Sequence, residues 1–122
     1  MLSCISIEAA NTLIIKAHHP EDKATIVRIW RTPENKYIIR TSYSDKQDDY
    51  DQEVLYQYQK KVEYDGGAKR VTLKMSNESY WVLAYMNNTY AIIYGFYSEA
   101  LNKIVSKSYT IDYINKEAYK NL

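Results

Sequence analysis

Between Thr12 and Ile111 the chain is divided into short runs rich in Val, Ile, Thr and Tyr, each about one strand long and each closed by turn residues. No helical stretch separates them, and a parallel pairing needs a crossover of a dozen or more residues. The runs are therefore restricted to antiparallel neighbours. The strongest of them, Glu53 to Tyr64, alternates. Val54, Tyr56, Tyr58, Val62 and Tyr64 fall on one face and Glu53, Gln57, Gln59, Lys61 and Glu63 on the other, with Leu55 and Lys60 out of step. It reads as one long, half-buried strand. Asp65-Gly66-Gly67 then supplies the positive φ of a tight hairpin turn. Lys69 to Met75 resumes the alternation, with Val71, Leu73 and Met75 set against Arg70, Thr72 and Lys74.

The same reading places strands at Thr12 to Ala17, Thr25 to Arg31, Lys36 to Ser42 and Lys103 to Ile111. His18-His19-Pro20-Glu21-Asp22 turns between the first two. Thr32-Pro33-Glu34-Asn35 turns between the next two, where Pro33 fixes φ and Asn35 tolerates a left-handed position. Tyr43 to Gln52 is polar and acidic without periodicity, which predicts the longest loop. Ser79 to Met86 and Tyr90 to Tyr97 are apolar on both faces, as central strands would be, and Asn87-Asn88 between them suits a primed turn. Gly95 marks a bulge, a bend or a close approach. From Asp112 the period changes: Ile111, Ile114, Ala118 and Leu122 lie three or four apart, as an amphipathic helix requires, with Asp112 as N-cap. Ser3 to Asn11 fits either a short helix or an edge strand.

These elements predict one mainly β domain over residues 1–122. The expected fold is an antiparallel meander of about seven or eight strands that closes into a small barrel or sandwich, with a short C-terminal helix. The alternative is an α+β arrangement with helices packed on one curved sheet.

Composition narrows the function. A formal charge of +1 gives no field to gather a polyanion, so nucleic acid is not an expected partner. The single cysteine, Cys4, excludes an internal disulfide framework and a multi-cysteine metal site. No apolar run approaches the roughly 18 residues of a transmembrane helix. The N-terminus has no signal-peptide pattern, which predicts a cytoplasmic protein if the chain is complete as written. Met1-Leu2-Ser3-Cys4 also looks like the end of a lipoprotein cleavage site, with Cys4 as the mature first residue of a periplasmic or surface lipoprotein.

The chemistry-bearing residues are scattered. His18 and His19, adjacent on a strand, would point to opposite faces and cannot easily share an ion, even with Glu21 and Asp22 nearby. Asp45, Asp48, Asp49, Asp51 and Glu53 offer oxygen ligands but lack the spacing, the glycine and the closing glutamate of a calcium loop. No nucleophile elbow or phosphate-cradling glycine loop is present. The expectation is a protein without catalytic residues, cofactor or metal.

Fourteen tyrosines, against two tryptophans and one phenylalanine, put a polar handle on most of the aromatic surface. Such rings suit half-buried strand faces and equally suit binding surfaces. The first expectation is therefore a protein-binding domain of inhibitor, immunity-protein or accessory-adaptor type. Asp45, Asp48, Asp49 and Asp51 would steer it to a basic partner site, with Tyr43 and Tyr50 as anchors. The alternative is a small β-barrel holding an apolar or glycan ligand among Tyr56, Tyr58, Trp81, Tyr85 and Tyr94.

Overall fold

A computed structural model describes residues 11–43 and 49–122. Among these, nine strands are present: β1 (Thr12–His19), β2 (Asp22–Arg31), β3 (Tyr37–Ser42), β4 (Tyr50–Leu55), β5 (Lys60–Asp65), β6 (Ala68–Lys74), β7 (Tyr80–Met86), β8 (Thr89–Ser98) and β9 (Lys103–Ile114). A short helix, α1 (Lys116–Lys120), follows. The strands form a single antiparallel sheet, in the order β4-β3-β2-β1-β9-β8-β7-β6-β5, curled strongly into a half-barrel.

The order describes two meanders joined at a seam. β1 to β4 make one wing and β5 to β9 the other, and the first and last strands meet in the middle, Ile15 opposite Ile114 and Ala17 opposite Ile111. All eight pairings are antiparallel, so the outermost strands, β4 and β5, run in the same direction. Only residues 56–59 connect them. Two parallel edges so briefly linked cannot form a ladder, which needs a long crossover. The half-barrel therefore stays open along that line, where the Glu53 carboxylate accepts from the backbone N–H and hydroxyl of Ser76, both at 2.8 Å.

This corrects the single strand expected over Glu53 to Tyr64. The run is two strands, one at the edge of each wing, broken by a 3₁₀ turn at Gln57–Gln59. The two residues out of step in the sequence mark the break. Leu55 is fully buried while Val54, Tyr56 and Tyr58 are exposed. Burial of the apolar residue that ends β4 sets its register over the alternation around it. The polar loop is also shorter than expected, because β4 begins at Tyr50.

The inward face follows alternation in β2, β6, β7 and β8, while register shifts in β1 bring the adjacent Ile14 and Ile15 both into the core. Val27, Ile29, Ile39, Val71, Leu73, Trp81, Leu83 and Ile92 form one continuous buried cluster with Ile14, Ile15 and Ala17. Each such side chain contributes about 1.5–3 kcal/mol on removal from water. β7 and β8 are not the central strands, since the seam strands β1 and β9 hold that place. The outer side chains of β7 and β8, among them Val82, Ala84 and Ile93, are only half-buried. A pairing between the first and last strands has no local signal in the sequence.

Turn chemistry matches its residues. Gly66 and Gly67 have φ of 55° and 89°, and Asn87 and Asn88 have 54° and 63°, the left-handed pairs of primed hairpins. Asn35 is left-handed at 62°. Gly95 is a close approach: a Cβ there would lie 2.1 Å from Cζ of Tyr80, its cross-strand partner.

The tail departs from the expectation. Ladder pairing with β1 carries β9 through Asp112 to Ile114, and Asp112 accepts a bond from Nδ1 of His18 at 2.9 Å instead of capping a helix. Asn115 is the N-cap, its side chain accepting from the N–H of Ala118 at 3.0 Å. The helix then plugs one end of the half-barrel with Ala118 and Tyr119, both buried. Tyr119 hydroxyl lies 3.0 Å from the carbonyl of Lys69 and 3.1 Å from that of Leu83. The Lys69 ammonium caps the helix end, donating to the carbonyls of Tyr119, Lys120 and Leu122.

Candidate functional site

The end opposite α1 is open. There, β3, β4 and the β6–β9 wall enclose a cleft of about 360 Å³ lined by Thr41, Tyr43, Asp51, Gln52, Glu53, Met75, Asn77, Trp81, Tyr94 and Tyr109. Strand alternation aims Thr41, Asp51, Glu53, Trp81, Tyr94 and Tyr109 inward: Trp81 pairs with Tyr94, and Tyr109 with the core residue Ile92. Across the opening, Asp51 pairs with Thr41, and Glu53 with the core residue Ile39.

The aromatic rings stand at steep angles to one another. Trp81 lies 4.5 Å from Tyr94 at 36° and 5.0 Å from Tyr109 at 83°, and Tyr94 lies 6.5 Å from Tyr109 at 67°. His19 closes the far side of Tyr109 at 5.3 Å, edge to face. Trp81 is buried, and its indole N–H has no partner among the described residues; Trp30, on the outer face of β2, is in the same position. An unmet buried donor costs roughly 1–3 kcal/mol.

The polar side of the cleft is acidic. Tyr43 hydroxyl donates to Oδ2 of Asp51 at 2.9 Å. Partial desolvation of this half-exposed ring, together with that hydrogen bond and the Asp51 charge, pushes the Tyr43 phenol up to about 12. Burial, then Tyr94 and Asp22, raises the Tyr109 phenol as well. Both shifts favour the neutral phenol, which can donate a hydrogen bond. Among the described residues no Lys, Arg or His lines the cleft, and no three His, Cys, Asp or Glu side chains gather as a metal ligand set.

The structure redistributes the residues singled out from the sequence. Tyr43 and Asp51, expected to face a protein partner, and Trp81 and Tyr94, expected to hold a small ligand, come together in this one cleft. Asp49 and Tyr50 lie outside it, exposed, with the Arg40 guanidinium 4.3 Å over the Tyr50 ring. Asp45, Asp48 and Cys4 fall outside the described residues. Tyr56 and Tyr58 belong to the turn between the wings, stacked on each other at 6.1 Å, and Tyr58 lines a separate shallow groove on the outer face of β5 and β6. Tyr85 lies near the helix end, packed on Tyr90 and donating to Asn88. Sequence reasoning missed Tyr109, Thr41, Gln52, Met75 and Asn77, and Glu53 as a lining residue. For Tyr109 a signal existed, since it shares a face with Val105 and Ile111, but its neighbours Trp81 and Tyr94 are set by pairing across strands.

No family model matches the chain, and no curated protein or solved structure matches it either. Among the described residues no helix is long and apolar enough to cross a membrane.

Proposed function

We propose that this protein is a non-catalytic binding domain that takes a small ligand into the open end of its half-barrel. One observation carries the reading: the helix end is filled by side chains, whereas the other end holds a cleft of about 360 Å³ walled by Tyr43, Trp81, Tyr94 and Tyr109 with polar groups along one side. An apolar concavity with a few convergent polar groups is the usual form of a ligand site. The tyrosines hold their protons, which suits recognition over turnover. The test is a set of amide NMR spectra recorded against neutral sugars, short apolar molecules and small ammonium compounds. Saturable shifts confined to the cleft and lost in Tyr94→Ala are the expected result. Absence of any saturable shift there for all three classes refutes it.

A second reading, docking on a larger protein as an inhibitor, immunity protein or adaptor, is favoured by a different feature. Beyond the pairing of Tyr80 with Gly95, β8 and β9 continue as a two-stranded arm whose tip exposes Tyr97, Leu101 and Ile104. Isolated exposed apolar residues are ordinary, but several on one projecting hairpin form a contact surface. Affinity capture from the source lysate, with Leu101→Glu and Ile104→Glu together as control, separates the readings. A stoichiometric protein lost in the control supports docking; none enriched over the control leaves the ligand cleft.

A further inference from the structure

We propose that the molecule bound in the cleft carries a compact organic cation, an ammonium group seated among the aromatic rings and facing Asp51. The inference rests on the cleft being a ligand site, and it names the chemistry of the occupant.

Two observations converge on it. The first is ring geometry. Tyr94 and Tyr109, both half-buried, stand 6.5 Å apart at 67° and form a corner, with the buried Trp81 packed against both. A sugar ring needs a flat, open aromatic platform, which two rings at 67° do not make, and the face of Trp81, 1% exposed, is closed to any occupant. A small cation is attracted to several ring faces at once, within about 6 Å of their centroids.

The second is charge. The cleft holds two carboxylates and, among the described residues, no cationic side chain. Both oxygens of Glu53 are engaged by Ser76. Asp51 accepts from the Tyr43 hydroxyl, an O–H that orients the carboxylate without neutralising it. A purely apolar occupant would strip water from these charges and give nothing back. An ammonium group restores the lost interaction.

Choline carries such a group on a small free molecule. A lysine side chain of a protein partner has the same ammonium chemistry, so the source of the group has its own arm in the test.

Calorimetric titration of the intact protein compares choline with 3,3-dimethylbutan-1-ol, its neutral carbon isostere, and with glucose and Nα-acetyl-lysine methylamide. Choline is expected to bind at least about tenfold more tightly than the isostere, given the strength of a desolvated cation–aromatic contact. Asp51→Asn should weaken choline about five- to tenfold and leave the isostere within about twofold. Tighter binding of the acetyl-lysine derivative than of choline assigns the cation to a protein partner, and the reverse assigns it to a free molecule; either supports the proposal. If the isostere or glucose binds as well as choline, or Asp51→Asn has no effect, the cation inference fails while the cleft remains a ligand site. If none of the four binds, both readings fall together.

Discussion

At the helix end of the half-barrel, Tyr119 is turned inward with its ring against Tyr90 at 5.4 Å and its hydroxyl held between two strand carbonyls. At the other end, Tyr43, Tyr94 and Tyr109 are turned inward around open space, and only Tyr43 has a side-chain partner for its hydroxyl among the described residues. The same residue type, turned into the half-barrel from α1 at one end and from β8, β9 and the end of β3 at the other, thus closes one end and equips the other. The difference comes from the chain that lies beyond the strands. After β9 the last residues form a capped helix turn that fills the helix end. At the open end no helix fills the interior among the described residues. Tyrosine serves where space is filled because its ring packs, and where space is left because its hydroxyl keeps a polar contact available.

That contrast can be broken most severely at the helix end. Tyr119→Ala should remove roughly 3–5 kcal/mol of stability, as large-to-small changes at filled sites do, while leaving binding at the cleft unchanged per folded molecule; urea unfolding and calorimetry check the two halves. The next effect is alkaline. Burial pushes the Tyr119 phenol up to about 12, above its ordinary value near 10. A raised phenol favours the protonated fold, so its contribution is complete below about pH 10 and is lost as pH rises through about 12. The loss should approach 2–3 kcal/mol, at about 1.4 kcal/mol for each tenfold difference in proton affinity between the folded and unfolded chain. Tyr119→Phe should flatten the pH 10–12 profile measured by denaturant melts.

Near the open end the effects shrink. Gly95→Ala places a Cβ against the Tyr80 ring and should cost about 1–3 kcal/mol. The cost should largely vanish in a Tyr80→Ala background, which a double-mutant cycle resolves. Smallest of all, Tyr43→Phe removes one partly exposed hydrogen bond and should change stability by no more than about 1 kcal/mol while weakening ligand binding. If Tyr43→Phe destabilises as much as Tyr119→Ala, the open end is part of the packing that keeps the sheet folded and the contrast is void.

How much of the fold is legible in the sequence depends on the range of the interactions involved. The hairpins at Gly66-Gly67 and Asn87-Asn88, the left-handed Asn35 and the antiparallel class are local, and each is legible because backbone conformation depends on the residue itself. The boundaries that depend on distant partners are not. Asp112 reads as a helix cap until the pairing of Ile114 with Ile15 keeps it in a strand, and Leu55 reads as an irregularity until its burial shows it to be the anchor of β4. The cleft divides in the same way. Tyr43, Asp51, Trp81 and Tyr94 can each be picked out as candidates. That they share one site depends on the curl of nine strands, which brings β3 and β4 opposite β7 and β8 across the open line.

The meeting of the first and last strands bears also on how the chain reaches this form. Each wing is a run of neighbouring hairpins, able to zip from its own turns, whereas joining Ala17 to Ile111 requires almost the whole polypeptide to loop back. Contacts so far apart in sequence slow folding. The slow step is then the docking of two preformed wings along β1 and β9, with residues 56–59 serving only as a tether. Cutting the tether should yield two fragments that find each other along that seam and restore the half-barrel in a bimolecular reaction whose rate rises with concentration.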